Sequence, residues 1–309
     1  MTPSIAILGP GGVGGLLAAA LARAGADVTV VAREATAEAI ARDGIVVESE
    51  ALGDFTARPS ALARLTEPVD VLLAAPKAAA LEDALARVEA TAPALVVPLL
   101  NGFDHMALLR ERFGAARVAA GTIRVQADRP APGRVVQRGR FLSVELASGD
   151  ATRRATLDAL AELLERSGVT TRVHDDEARI LWGKLVRLNA LACTTAAHDA
   201  TFGAIRDDPA RWAELQGCVE EGAAVARAEG AEIEPATVFR EFEVIHDGFG
   251  TSMQRDVAAG REPELDAIAG AVLRAGARHG IPCPTVAALA ARIAERAGVP
   301  APAAAPAAG

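Results

Sequence analysis

Apolar and polar positions follow two regimes along this chain. Up to about residue 100, short continuous apolar runs recur at 4–9 (SIAILG), 27–33 (DVTVVAR), 44–48 (GIVVE), 69–75 (VDVLLAA) and 94–100 (ALVVPLL). Each has strand length, and helical segments lie between them, the first a small-residue helix over 13–24. Unalternating apolar strands separated by helices predict a parallel sheet covered on both faces. Between 117 and 146 two β-rich runs flank Arg129-Pro-Ala-Pro-Gly133, a turn composition that predicts antiparallel strands. Residues 152–166 then place Leu157, Leu160, Leu163 and Leu164 at helical spacing. Beyond 173 only helical spacing remains, over 177–192, 209–229, 236–249, 263–279 and 285–297. Asp208 before Pro209 reads as a cap with proline in the first turn, and Pro263 reads as the start of a helix. The predicted organisation is an α/β domain over 1–172, an all-helical domain over 173–298 and a disordered Ala/Pro tail over 299–309.

Composition narrows the function. A length of 309 residues fits two domains of ~150 each. With 51% hydrophobic and 23% charged residues the chain is not globally disordered, although much of the apolar share is alanine. A net charge of −8 removes any broad electrostatic argument for nucleic acid or an anionic membrane surface. Cys193, Cys218 and Cys283 form no C-x-x-C, which argues against a disulfide framework or a zinc knuckle and suits a reducing compartment. Neither a signal-peptide pattern nor an apolar run near the ~20 residues of a membrane span is present. The expectation is a cytoplasmic protein with a small-molecule ligand, no metal and no macromolecular template; a homodimer stays open.

Gly9-Pro10-Gly11-Gly12-Val13-Gly14 is a G-x-G-x-x-G directly after a strand and directly before a helix. Gly9 permits a tight turn, Gly11 lets backbone approach a pyrophosphate, and Gly14 lets helix and strand pack closely. The helix N-terminus then offers N–H groups to the phosphates. A glycine-rich turn without a ligand is the plainer reading, and the strand–turn–helix–strand order disfavours it. At the end of the second strand an acid ~20 residues past the motif would mark NAD. Arg33 and Glu34 both stand there, so spacing leaves the choice open. A guanidinium on the last strand residue can grip a 2′-phosphate through two bonds, which favours NADP.

Four further segments, with this turn, resemble the ketopantoate reductase (2-dehydropantoate 2-reductase) family. They are Ala75-Pro76-Lys77, Leu100-Asn101-Gly102, Trp182-Gly183-Lys184-Leu185, and Thr251-Ser252-Met253-Gln254-Arg255-Asp256 running on to Glu264-Leu265-Asp266. Order and spacing match over almost the whole chain, tail excepted. The resemblance implies a Rossmann-type doubly wound sheet followed by an all-helical C-terminal domain, with the active site in the cleft between. It also implies the cofactor NADP (NADPH), with Lys77 joining Arg33 at the 2′-phosphate and Asn101 beside the nicotinamide and the substrate. Lys184 would be the catalytic lysine and a substrate contact, Glu264 its partner, and Ser252 a donor to the substrate carboxylate. Plainer readings make Lys77 a loop cation, Lys184 a snorkelling lysine and Glu264 a first-turn acid favoured by the helix dipole.

The chain departs from the family where ketopantoate-reducing members place asparagines after the lysine. Those places hold Leu188, Ala192 and Phe202, and Asn189 is one residue off, a turn of ~100° on a helix. The five histidines show no metal-ligand spacing, Thr194-Thr195 reads as helix-end packing, and no cysteine has a partner that suggests a nucleophile. The expected function is NADPH-dependent reduction of a small branched 2-oxo acid, ketopantoate first. Two alternatives are kept: a more apolar 2-oxo substrate, and a dinucleotide-binding sensor without turnover.

Overall fold

The computed structural model of the chain describes residues 3–89 and 92–303. Two compact units are present: the chain up to Leu100 together with Asp104–Ile180, and Asn101–Phe103 together with the chain from Leu181 onward.

The first unit contains two sheets. Its strands are β1 (Ile5–Leu8), β2 (Val28–Val31), β3 (Ile45–Ser49), β4 (Phe55–Ala57), β5 (Ser60–Leu62), β6 (Val69–Ala74), β7 (Pro93–Pro98), β8 (Ala120–Ala131), β9 (Arg134–Ala147) and β10 (Thr170–His174). Its helices are α1 (Gly12–Arg23), α2 (Glu34–Asp43), α3 (Leu81–Leu85), α4 (His105–Phe113) and α5 (Arg154–Arg166). One sheet is parallel throughout, in the order β5-β2-β1-β6-β7. The family of expected parallel strands needs one correction. The run at 44–48 is not in this sheet; β3 pairs antiparallel with β4 and parallel with β9 in the second sheet, and β5 takes the place beside β2. The antiparallel pair expected across 117–146 is β8–β9.

Helix α1 packs against β1 and β2 of the first sheet and against β3, β4, β8 and β9 of the second. Both of its sides are covered, so Gly14–Leu21 is buried without a break. That is why this helix is built of Gly, Ala and Leu, with no polar stripe. Leu16, Leu17 and Leu21 join Ile5, Ile7, Val30, Val47, Val135 and Val144 in one apolar core, each fully buried aliphatic side chain contributing about 1.5–3 kcal/mol.

Helix α6 (Glu177–His198) crosses the unit boundary between Ile180 and Leu181. The second unit continues with α7 (Phe202–Arg206), α8 (Pro209–Ala228), α9 (Pro235–Phe242) and α10 (Ser252–Ala258). A turn of π-helix (Asp266–Gly270), α11 (Ala271–Arg278) and α12 (Pro284–Ala297) complete it. Asp208 caps α8 through bonds from the N–H groups of Ala210 and Arg211 at 2.9 and 3.2 Å, with Pro209 in the first turn as expected. The helix expected over 236–249 stops at Phe242. The carbonyls of Asp247 and Phe249 instead accept the N–H groups of Gly203 and Phe202 that open α7, at 2.9 and 2.8 Å. The helix expected from Pro263 begins later, at Leu265, and its first full turn is π rather than α. Residues 173–180, assigned above to the helical domain, cluster with the first unit. Of the expected tail, 304–309 lie outside the described residues, and α12 ends at Ala297 with Gly298 in the left-handed conformation. Among the described residues no helix is long and apolar enough to cross a membrane.

Candidate active site

In the first unit, the parallel strands β1, β2 and β6 are neighbours, so their carboxyl ends open on one edge of the sheet. Gly9 leaves β1 at φ +82°, its N–H bonded to Val31 O at 3.1 Å. A Cβ there would sit 2.9 Å from the backbone of Pro76, one at Gly12 would run into the carbonyl of Ala127 on β8, and one at Gly14 into the carbonyl of Gly9. These three glycines are required by the protein itself. Gly11 is different: a Cβ there would meet nothing within 4 Å. Its missing side chain leaves open space at the N-terminus of α1, whose first turn carries no acid and no side-chain cap. Open space, unfilled N–H groups and no negative charge are what a pyrophosphate requires. Val13, partly buried, packs its side chain against the core, and Pro10 completes the turn.

Arg33 and Lys77 occupy equivalent places. Each follows a strand of this edge and precedes a helical turn, with extended backbone (ψ 149° in both) and an exposed side chain. Glu34, the acid that competed with Arg33 for the reading of the cofactor, is bonded to Arg87 Nη1 at 3.1 Å.

The second unit gathers the other set. Asn101 Nδ2 donates to Glu264 Oε2 at 2.8 Å. Gly102, at φ +74°, lies so close to the carbonyl of Ala267 in the π turn that a Cβ would collide with it. Phe103 packs on Trp182 with ring centroids 4.8 Å apart. Three consecutive residues thus join the segment that carries Glu264 to the helix that carries Lys184, which is why 101–103 cluster with this unit. The π turn starts two residues after Glu264, and such turns recur at functional sites because they shift the helical register by one residue. Lys184 is half-buried on α6, three residues past the unit boundary. Ser252 is exposed at the first position of α10, which Thr251 caps by accepting Gln254 N at 3.2 Å.

Thr195 was missed as a contributor to this arrangement. Its hydroxyl, fully buried, donates to Leu191 O at 2.7 Å and stands 2.8 Å from the Thr251 hydroxyl. With its own proton committed to Leu191, Thr195 accepts from Thr251 and so fixes where α10, and with it Ser252, begins. No spacing rule links residues 56 apart, so only the fold shows it.

The positions that lack asparagine separate into two groups. Leu188 is half-buried, whereas Ala192 and Phe202 are at 0% and 1% exposure. The Phe202 ring packs with Trp212 and Phe242, at centroid distances of 6.4 and 5.9 Å. Phe202 is therefore a core residue and not part of a pocket wall. Phe202→Ala should cost about 3–5 kcal/mol in stability, read from denaturant unfolding; a loss below 1 kcal/mol would place the ring outside the core. Asn189 does not substitute for the absent amides either. Helix α6 is unbroken around it, its side chain is fully buried, and its Oδ1 accepts from Cys193 Sγ at 3.3 Å while Nδ2 has no partner. Burial also pushes the Cys193 thiol up to about 12 and Cys283 to about 11, so neither is a nucleophile near neutral pH. Among the described residues no group of His, Cys, Asp or Glu is arranged to hold a metal.

Comparison with known proteins places this geometry in context. The family model for ketopantoate reductase PanE/ApbA matches residues 5–150, and that for its C-terminal part matches 176–297. A 2-dehydropantoate 2-reductase of Caulobacter vibrioides is 32% identical over 293 residues, covering 93% of this chain and 97% of its own. The crystal structure of 2-dehydropantoate 2-reductase from Geobacter metallireducens superposes with a TM-score of 0.84 at 29% identity, over 94% of this chain and 99% of that one. D-mandelate dehydrogenase, in a ternary structure with NADH and anilino(oxo)acetate, shares the fold at a TM-score of 0.85 and 22% identity, over 96% and 98% of the two chains. Two family models spanning both units, and a relative aligned over nearly its full length, show that this chain belongs to the ketopantoate reductase family of oxidoreductases acting on CH–OH groups.

Proposed function

We propose that the protein reduces a small branched 2-oxo acid with NADPH, and that 2-dehydropantoate, reduced to pantoate, is its leading substrate. The observation that carries this reading is the bond from Asn101 to Glu264, which sets an amide and a carboxylate together on the unit that bears Lys184. A bound nicotinamide dinucleotide supplies the hydride. The residues of the first unit suit that group: Gly11 leaves open space at the start of α1, the first turn of α1 lacks negative charge, and Arg33 and Lys77 follow β2 and β6, the two strands that flank β1.

Reduction of a 2-oxo acid leaves negative charge on the former carbonyl oxygen. Lys184, as an ammonium, would stabilise that charge and deliver the proton. The Glu264 carboxylate, oriented by Asn101, would keep the lysine charged. Ser252 would donate its hydroxyl to the substrate carboxylate. The test is oxidation of NADPH by the purified protein against a panel of 2-oxo acids; no turnover with any of them would leave only the sensor reading, against which the retention of both Lys184 and Glu264 speaks.

A second reading keeps the chemistry and makes the preferred substrate more apolar. It is favoured by Leu188, the one accessible side chain of the three that stand where amides are expected.

On the cofactor, Arg33→Ala should weaken NADPH binding about tenfold and leave NADH nearly unchanged, since one charge-assisted contact of about 1.5 kcal/mol is lost from the extra phosphate alone. Equal losses for both dinucleotides would remove Arg33 from the phosphate site.

A further inference from the structure

Arg87 lies outside every motif of the chain, yet its guanidinium sits at the carboxyl edge of the parallel sheet. Its backbone is fixed there: Arg87 N donates to Ala84 O at 3.0 Å, and Arg87 O accepts from Leu65 N at 2.8 Å. Its Nη1 is shared among Glu34 Oε1 at 3.1 Å, Ala63 O at 3.2 Å and Ala32 O at 3.5 Å. Ala32 separates β2 from Arg33, and Ala63 follows β5, the strand paired with β2. One guanidinium therefore joins the ends of two neighbouring strands and holds the Glu34 carboxylate with the same nitrogen.

Glu34 is the first residue of α2 and follows Arg33 directly. A carboxylate near this point is the group that accepts a ribose 2′-hydroxyl in NAD sites, and the same charge repels a 2′-phosphate. Here it is already engaged. The Arg87 bond, with the charge of Arg64 behind it, holds the Glu34 carboxyl below the usual carboxylate range, so it stays ionised and paired. Arg87 is mostly covered, at 23% side-chain exposure, while Glu34 is at 67%. An exposed ion pair of this kind contributes little to stability. The two backbone carbonyls suffice to anchor the guanidinium, which leaves the bond to Glu34 without a structural task.

We propose that Arg87 is a specificity-determining residue for the cofactor: by engaging Glu34 it masks the carboxylate beside Arg33, which otherwise would accept a ribose 2′-hydroxyl and repel a 2′-phosphate. This rests on the NADPH reading above, and the two can fail separately.

The test is a cycle of dissociation constants for NADPH and NADH, by fluorescence titration, on the wild type, Glu34→Gln, Arg87→Gln, Arg87→Lys and the double variant Arg87→Gln with Glu34→Gln. Thermal melting of each variant checks folding. With Glu34 masked, Glu34→Gln alone should leave the NADPH-to-NADH preference within about twofold of wild type. Arg87→Gln should lower the preference about tenfold, equivalent to 1.4 kcal/mol. The double variant should restore it, because the harm comes from the released carboxylate. Arg87→Lys keeps the charge and should stay within about threefold, which preserves the test if the glutamine variant does not fold. An unchanged preference in Arg87→Gln, a double variant no better than the single one, or a tenfold fall in Arg87→Lys each overturns the inference. A wild type that prefers NADH overturns the NADPH reading instead.

Discussion

Lys184→Ala should lower kcat by about 10²–10⁴-fold, the range for a positioned acid, while the dissociation constant of NADPH changes little. In the proposed mechanism the ammonium would act at the carbonyl oxygen, where charge develops during reduction, and not on the dinucleotide, whose phosphates would be held by the glycines, Arg33 and Lys77 of the first unit. An interaction made only in the transition state lowers kcat and kcat/KM together when it is removed, and leaves ground-state binding alone. Its position agrees with that task. Lys184 is half-buried on α6, the helix whose Trp182 is buried against Phe103 of the tripeptide that also holds Glu264. Arginine at 184 would keep the charge yet return little activity, because a planar guanidinium holds its proton too tightly to be a good donor. A Lys184→Ala protein with near-normal kcat would make the residue a surface lysine and remove the mechanism.

Much of the nucleotide-binding part was legible in the residues because its demands are local and steric. Gly9, Gly12 and Gly14 are glycines since a Cβ would strike Pro76, Ala127 or Gly9 itself, and such constraints leave a mark at each position. The short strand β5 leaves none: three residues cannot display a period, so the pattern shows 44–48 as a strand of the parallel sheet and passes over 60–62. Long-range bonds were equally hidden. Arg87 to Glu34 spans 53 residues, Asn101 to Glu264 spans 163, and Thr195 to Thr251 spans 56. The pair Asn101–Glu264 could be anticipated only through family resemblance, which names both residues without saying that they touch. The helix over 236–249 failed for a related reason. Its residues favour helix locally, but carbonyls of 247 and 249 are needed at the start of α7, and that tertiary use overrides propensity.

The structure also changes what should be expected of the substrate. With Ala192 and Phe202 withdrawn into the core, neither can press on a ligand, and Leu188 alone represents the positions where amides are expected. A site built to hydrogen-bond a substrate hydroxyl rejects the analogue lacking it by about 10⁴–10⁵-fold, because its own buried polar groups are left unpaired. Positions 188, 192 and 202 contain no such groups, and the buried amide of Asn189 is turned toward Cys193. Placed against Leu188, the hydroxyl of 2-dehydropantoate would instead lose water at a cost of about 1–3 kcal/mol. On the second, more apolar reading, reduction of 2-dehydropantoate should therefore proceed, but with kcat/KM roughly 5–150-fold below that for 3,3-dimethyl-2-oxobutanoate, which lacks only the hydroxyl. 2-Oxoisovalerate, which lacks the whole hydroxymethyl group, separates the loss of polarity from the loss of bulk. Leu188→Asn should reverse the order of the first two compounds by supplying an amide one helical turn beyond Lys184. If the wild type already prefers 2-dehydropantoate by a hundredfold or more, a hydroxyl partner exists elsewhere on the protein and the apolar reading falls.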